Sequence, residues 1–207
     1  MFGGKSDNTT PVVDNNNPGS SVAPVIPVSE TTKVSNKLTE YKNDELGFSV
    51  KYPTTWEKAE TTTGLSLIMP IDQSQVSTVV KLQSDIVAVP GKCAFPPVTT
   101  VKDRSTLVVG DQTLNMISMS NSVQGRNYFN RMYSLQKGDV CYMFTFSSIS
   151  QSLTSKNLTG SDATQATNNN KAIVNNADAD FTTMVKSFTF VQGPAGVDET
   201  KASPVKK

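Results

Sequence analysis

The sequence predicts an α+β domain, an antiparallel β-sheet with one long C-terminal helix packed on it. Three observations predict it. Apolar and polar residues alternate through most of residues 47–146, as half-buried strands require. Two Gly-Asp pairs, Gly110-Asp111 and Gly138-Asp139, divide such runs in the manner of hairpins. Near the C-terminal end the apolar spacing then changes to threes and fours.

Taken in order, Phe48, Val50 and Tyr52 fall on one face of a strand that Pro53 closes. A short helix is expected from Thr54, where TTWEKAE follows the proline. Leu65, Leu67 and Met69 repeat the alternation up to Pro70. Residues 76–89 are β-branched and long enough for a bent strand or two short ones. Residues 104–119 and 126–146 form the two hairpins, with Val140, Tyr142, Phe144 and Phe146 on one face of the last strand. Residues 147–170 are polar and without period, which predicts a loop. Ile173, Ala177, Phe181, Met184, Val185 and Phe188 then mark an amphipathic helix over about 171–186, and residues 188–190 return to strand.

Composition bounds the rest. The 207 residues suffice for one domain with a substantial core. Residues 1–38, rich in Ser, Thr, Asn and Pro, read as a disordered polar tether, residues 39–193 as the folded domain, and 194–207 as a second disordered tail. Nineteen Lys and Arg against eighteen Asp and Glu leave a net charge of +1, which gives no field for nucleic acid. The chain has no His, so it lacks the usual general base and the imidazole metal ligand. No apolar run reaches the roughly 20 residues of a membrane span. Any membrane attachment is expected through an N-terminal anchor that this sequence does not contain.

Two motifs carry a family likeness. Tyr41 to Glu57 has the form Tyr-x-Asn-x-x-x-Gly-Phe-Ser-x-x-Tyr-Pro-x-x-Trp-Glu, and Phe181 to Phe190 reads Phe-x-x-Met-Val-x-Ser-Phe-x-Phe. With the hairpin at Lys137-Gly138-Asp139 between them, they resemble the opening and closing segments of the PsbP-like family over most of residues 41–190. The resemblance implies an α/β/α sandwich, an antiparallel sheet between helices. It also implies binding or assembly rather than catalysis, as in the extrinsic photosystem II subunit, a Ran-binding import factor and many tethered bacterial proteins. It transfers no metal or cofactor site, and fold alone does not carry function. The residues themselves give the motifs structural roles. Phe48, Tyr52 and Trp56 would plug one end of the sheet while Pro53 turns the chain, and Phe181, Met184, Val185 and Phe188 would bury the helix.

Candidate chemistry is sparse. Cys93 and Cys141 could form a disulfide, remain two free thiols, or supply one nucleophile; a disulfide is the favoured reading. It would close a loop of about 48 residues, worth roughly 4 kcal/mol in the chain-entropy model. Asn176, Asp178 and Asp180 alternate like calcium ligands but lack the loop glycine and the bidentate Glu, so a solvated helix face is expected. Ser134 and Lys137 match Ser-x-x-Lys but lie in a strand and its turn, where that spacing has no catalytic geometry. Arg126, Arg131 and Lys137 interleave with Tyr128, Phe129 and Tyr133 as a nucleic-acid surface can. Period two, however, scatters them over both faces, and they read as ordinary sheet residues with snorkelling arginines.

The reading that follows is a non-enzymatic, extracytoplasmic binding or assembly module. It is monomeric, without cofactor, and held at the cell envelope by its tether to meet an unknown protein partner. The alternatives are a carboxylate- or metal-dependent hydrolase, a passive surface or structural protein, and a cytoplasmic location.

Overall fold

The period-two runs become strands in the computed structural model, which describes residues 37–72, 74–97 and 101–191. The tether expected over 1–38, apart from its last two residues, and the tail over 194–207 lie outside the described residues. In chain order the strands are β1 (Leu38–Asn43), β2 (Phe48–Pro53), β3 (Glu57–Thr61), β4 (Gly64–Ile68) and β5 (Val79–Pro90). β6 (Val101–Val109), β7 (Gln112–Val123), β8 (Arg126–Lys137) and β9 (Val140–Gln151) follow. A 3₁₀ turn at Thr154–Lys156 leads into the helix α1 (Gly160–Lys186), and β10 (Thr189–Phe190) ends the fold. The strands form a seven-stranded sheet of order β3-β4-β5-β9-β8-β7-β6 and a three-stranded sheet of order β1-β2-β10. Every pairing is antiparallel. Both Gly-Asp hinges form hairpins, with Gly110 at φ +59° and Gly138 at φ +56°, a backbone region that glycine enters without a Cβ penalty.

One face of the large sheet carries the core. Tyr133, Leu135, Tyr142, Phe144 and Phe146 point from β8 and β9 into it, and Phe181, Met184 and Val185 meet them from α1. Phe48, Val50 and Tyr52 cover the same face from β2; Pro53 and Trp56 are buried beside them. Phe188 sits where the layers join. Its ring centroid lies 5.0 Å from Phe144, 5.0 Å from Phe190, 5.5 Å from Tyr142 and 5.9 Å from Phe48. Phe181 is held similarly, 5.7 Å from Phe146 and 5.8 Å from Tyr133. Each such ring pair adds about 1 kcal/mol to the gain from burial. Among the described residues α1 is the one helix longer than a single turn, so the domain is α+β with its helix layer on the core side.

Two expectations are corrected. The helix expected from Thr54 is a turn, with Thr54 N–H donating to the Lys37 carbonyl at 2.8 Å, followed by β3 paired to β4 from Glu57↔Ile68 to Thr61↔Gly64. Seven residues are too few to express a helical period, and β4 offers an open edge that the segment takes. The loop expected over 147–170 is also absent. β9 continues to Gln151, opposite Arg126, and α1 begins at Gly160 rather than near 171. Only Ala166 is buried between residues 160 and 170, so this half of the helix has no apolar stripe to read.

Hydrogen bonds hold that half instead. The Asn170 carbonyl oxygen Oδ1 accepts from Ser77 Oγ and from the Thr78 backbone N–H, both at 2.8 Å. Asn170 Nδ2 donates to Thr78 Oγ1 at 2.8 Å, and Asn169 Nδ2 donates to the Val76 carbonyl at 2.9 Å. The two asparagines thus clamp α1 to the segment entering β5.

At the opposite end of the large sheet, Cys93 and Cys141 are joined in a disulfide that fastens the loop after β5 to the start of β9. Gln136 completes the fastening. Its Oε1 accepts from the Cys93 N–H at 2.7 Å, and its Nε2 donates to the carbonyls of Gly91, Gly138 and Val140 at 3.1, 2.8 and 3.1 Å.

Two outcomes follow for stability. A Cβ on Gly64 would lie 1.7 Å from the Ile86 carbonyl oxygen, inside the β4–β5 ladder. Gly64→Ala is expected to lower stability by about 3 kcal/mol in chemical denaturation, because backbone must move to admit one methyl group. Asn170→Ala removes three hydrogen bonds and leaves the buried Thr78 short of partners. A loss of about 2 kcal/mol is expected, with faster amide exchange over 160–170 than over 177–186. Equal exchange in the two halves would count against the clamp.

Candidate ligand-binding cleft

The core face of the large sheet changes character along its length. One row of cross-strand partners reads Ile86, Phe144, Tyr133 and Met116. The next reads Ser84, Phe146, Arg131 and Ser118, and the one after it Leu82, Ser148, Phe129 and Ser120. The last described row is Val79, Ser150, Asn127 and Ser122. The helix changes at the same level. Its inward positions are Val185, Met184 and Phe181 up to that point, and then Asp178, Asn175, Val174, Lys171 and Asn170. Residues three and four apart share one side of a helix, so these polar groups look across at the polar rows of the sheet. Between them lies a cleft of about 760 Å³.

An ion pair closes the inner end. Arg131 Nη1 donates to Asp178 Oδ2 at 2.6 Å, with the two side chains 27% and 16% exposed. The pair is incompletely satisfied: Arg131 Nε and Asp178 Oδ1 are both buried without a hydrogen-bond partner. The Arg131 guanidinium also lies 5.8 Å from the Phe129 ring centroid. Burial pushes the Asp178 carboxyl above the usual carboxylate range, and the Arg131 charge opposes the shift.

This placement corrects two expectations. Asp178 does not belong to a solvated helix face, because it turns inward to meet Arg131. Arg131 in turn does not snorkel: it shares the face of Phe129, Tyr133 and Leu135, which is the core face, and is neutralised there. The cleft itself was hidden in the sequence, although one trace of it is visible. Ser118, Ser120 and Ser122 keep the parity of Leu114 and Met116, so the polar positions continue the core-facing series.

Other residues sort by face. Phe129 lines the cleft and Tyr133 is in the core, both on the core-facing side of β8, whereas Tyr128 borders the cleft from a position that alternates to the other side. Ser134 is buried on the other face of β8 from Tyr133 and Leu135, whereas Lys137 Nζ sits 3.6 Å from the Phe190 ring centroid on the core side. The Ser-x-x-Lys spacing therefore splits across the sheet. Lys102 reaches the cleft from an irregularity in β6, where the register shifts between Val101 and Asp103. A bulge of this kind re-aims a side chain out of the ladder's alternation. Among the described residues no three His, Cys, Asp or Glu side chains gather as a metal site would need, and no helix is long and apolar enough to cross a membrane.

The chain matches no protein-family model and no curated protein. Solved structures similar to it include a crystal structure from Bacteroides thetaiotaomicron VPI-5482, at TM-score 0.43 and 13% identity, over 74% of this chain and 48% of that one. The chain spans about half the length of that protein. The solution structure of a cyanobacterial PsbP from Synechocystis sp. PCC 6803 is similar at TM-score 0.42 and 9% identity, over 79% of this chain and 99% of that one. The crystal structure of LpqN, a Mycobacterium tuberculosis protein involved in cell envelope biogenesis, is similar at TM-score 0.41 and 9% identity, over 75% and 91%. None of these likenesses assigns a role to a residue of the cleft.

The raised Asp178 carboxyl makes a pH prediction. The native state keeps a proton on Asp178 at a pH where the unfolded chain has released it. Stability therefore falls as pH rises from the ordinary carboxylate value to the raised native one, and this contribution is flat above that window. Urea titrations across the acid range are expected to show that slope, and Asp178→Asn is expected to remove it.

Proposed function

We propose that the protein is a non-catalytic binding module that works outside the cytoplasm, tethered at the cell envelope, and that the cleft under α1 receives its ligand. The observation that carries this is the cleft itself, whose two walls, sheet and helix, turn polar together and end on the Arg131–Asp178 ion pair.

The remaining support is chemical. The described lining holds one carboxylate, Asp178, already engaged by Arg131, whereas glycoside hydrolysis needs a second carboxylate across the substrate. The chain has no His to act as a general base. The disulfide fits an oxidising compartment, and the composition of residues 1–38 fits a tether. The sequence pointed to a protein partner; the cleft favours a ligand small or narrow enough to enter it, since pockets of roughly 300–1,000 Å³ take such molecules.

The test is a chemical-shift map of the isotope-labelled full chain titrated with a diverse fragment library. Shifts are expected to gather on Phe129, Arg131, Ser148, Asn175 and Asp178, with each fragment recovered unchanged by mass spectrometry. Shifts gathered on another surface would remove the cleft from the reading. A fragment consumed in proportion to protein would remove the word non-catalytic.

A further inference from the structure

Resting on that reading of the cleft, we infer that its ligand is an acidic saccharide, a sugar chain whose rings carry both hydroxyl groups and a carboxylate. Charge, hydroxyl groups and one aromatic ring in the cleft point to it.

The first is charge. Arg131, Lys102 and Lys171 supply three positive charges to the described lining against the one negative charge of Asp178, an excess of two. The whole chain, by contrast, has a net charge of +1. With Arg131 engaged by Asp178, the surplus resides in the two lysines, which are exposed and come from opposite walls, Lys102 from β6 and Lys171 from α1. Facing cations at the mouth of a cleft attract an anion.

The second is the type of hydrogen-bonding group. Serine hydroxyls at 120, 122, 148 and 150 occupy core-facing positions of the sheet; a hydroxyl can donate and accept, and that of Ser122 donates to Asn127 Oδ1 at 2.7 Å and keeps its acceptor side. A ligand rich in hydroxyls matches such a wall group for group. A peptide offers its backbone N–H and C=O in fixed alternation and uses this wall less fully.

The third is the Phe129 ring, which shares the core-facing side of β8 with Arg131 and lines the cleft beside these polar groups; sugar rings have apolar C–H faces that lie against such a ring.

The test is calorimetric titration of the full chain with trigalacturonate, a neutral galactose trisaccharide, a hexaglutamate peptide and inorganic phosphate. Trigalacturonate is expected to bind, more weakly as salt is added, and more tightly than the other three. The double variant Lys102→Gln/Lys171→Gln changes two exposed side chains and leaves the core untouched. It is expected to weaken trigalacturonate by about tenfold and leave the neutral trisaccharide unchanged. Equal binding of the neutral trisaccharide would overturn the acidic part of the inference. Equal binding of hexaglutamate or of phosphate would overturn the saccharide part. No binding of trigalacturonate, while fragments still map to the cleft, would overturn the inference and leave the cleft a ligand site. No binding together with fragments mapping elsewhere would remove both.

Discussion

The Phe188 ring joins the three parts of this fold. It sits one residue past the helix C-cap and one before β10, so the chain can turn from α1 into the small sheet only with that ring in the core. Phe144 and Tyr142 meet it from the large sheet, Phe48 and Phe190 from the small one. This fixes where the C-terminal half of α1 lies, and the position of the other half follows. A helix of 27 residues is about 40 Å long, and its apolar side is spent over the half nearest Phe188. Beyond Asp178 the helix is carried out over the sheet as a beam. It is tied at its far side by Asn169 and Asn170, and the space left beneath is the cleft.

Stability alone does not account for the ion pair at the inner end of that space. Desolvating two charges offsets most of their attraction, and apolar replacements of similar volume often leave a protein as stable or more so. Here the balance is poorer still, because one hydrogen-bonding group on each partner goes unused. A core row built of Arg131, Ser118 and Ser84 where the neighbouring row has Tyr133, Met116 and Ile86 is a costly way to end a hydrophobic layer. In the reading proposed above, the same row is the polar floor of the ligand cleft.

Much of the fold was legible because strands of a one-sided sheet must alternate. Phe48, Val50 and Tyr52, or Tyr142, Phe144 and Phe146, declare their face in the sequence, and Gly110 and Gly138 mark turns that need a left-handed residue. The failures have one cause. Residues 160–170 and 57–61 are held by hydrogen bonds to partners far along the chain, Val76 to Thr78 in one case and β4 in the other, and such bonds leave no hydrophobic period. The candidate site failed to show for the same reason. Its serines keep strand parity while losing the apolar character that makes parity visible, and Asp178 meets Arg131 across 47 residues of sequence. Polar walls facing inward are recognisable only when the fold is known.

The irregularity in β6 has a second effect. β6 is an outer strand of the large sheet, and its far side offers backbone groups to any other extended chain that approaches. Its first half carries Lys102, Asp103 and Arg104, and the shifted register there spoils the even spacing that an added strand would have to match. The displacement that sends Lys102 toward the cleft therefore also blunts that margin of the sheet against accretion by other copies, so the lysine that would greet a ligand doubles as a guard against fibre growth.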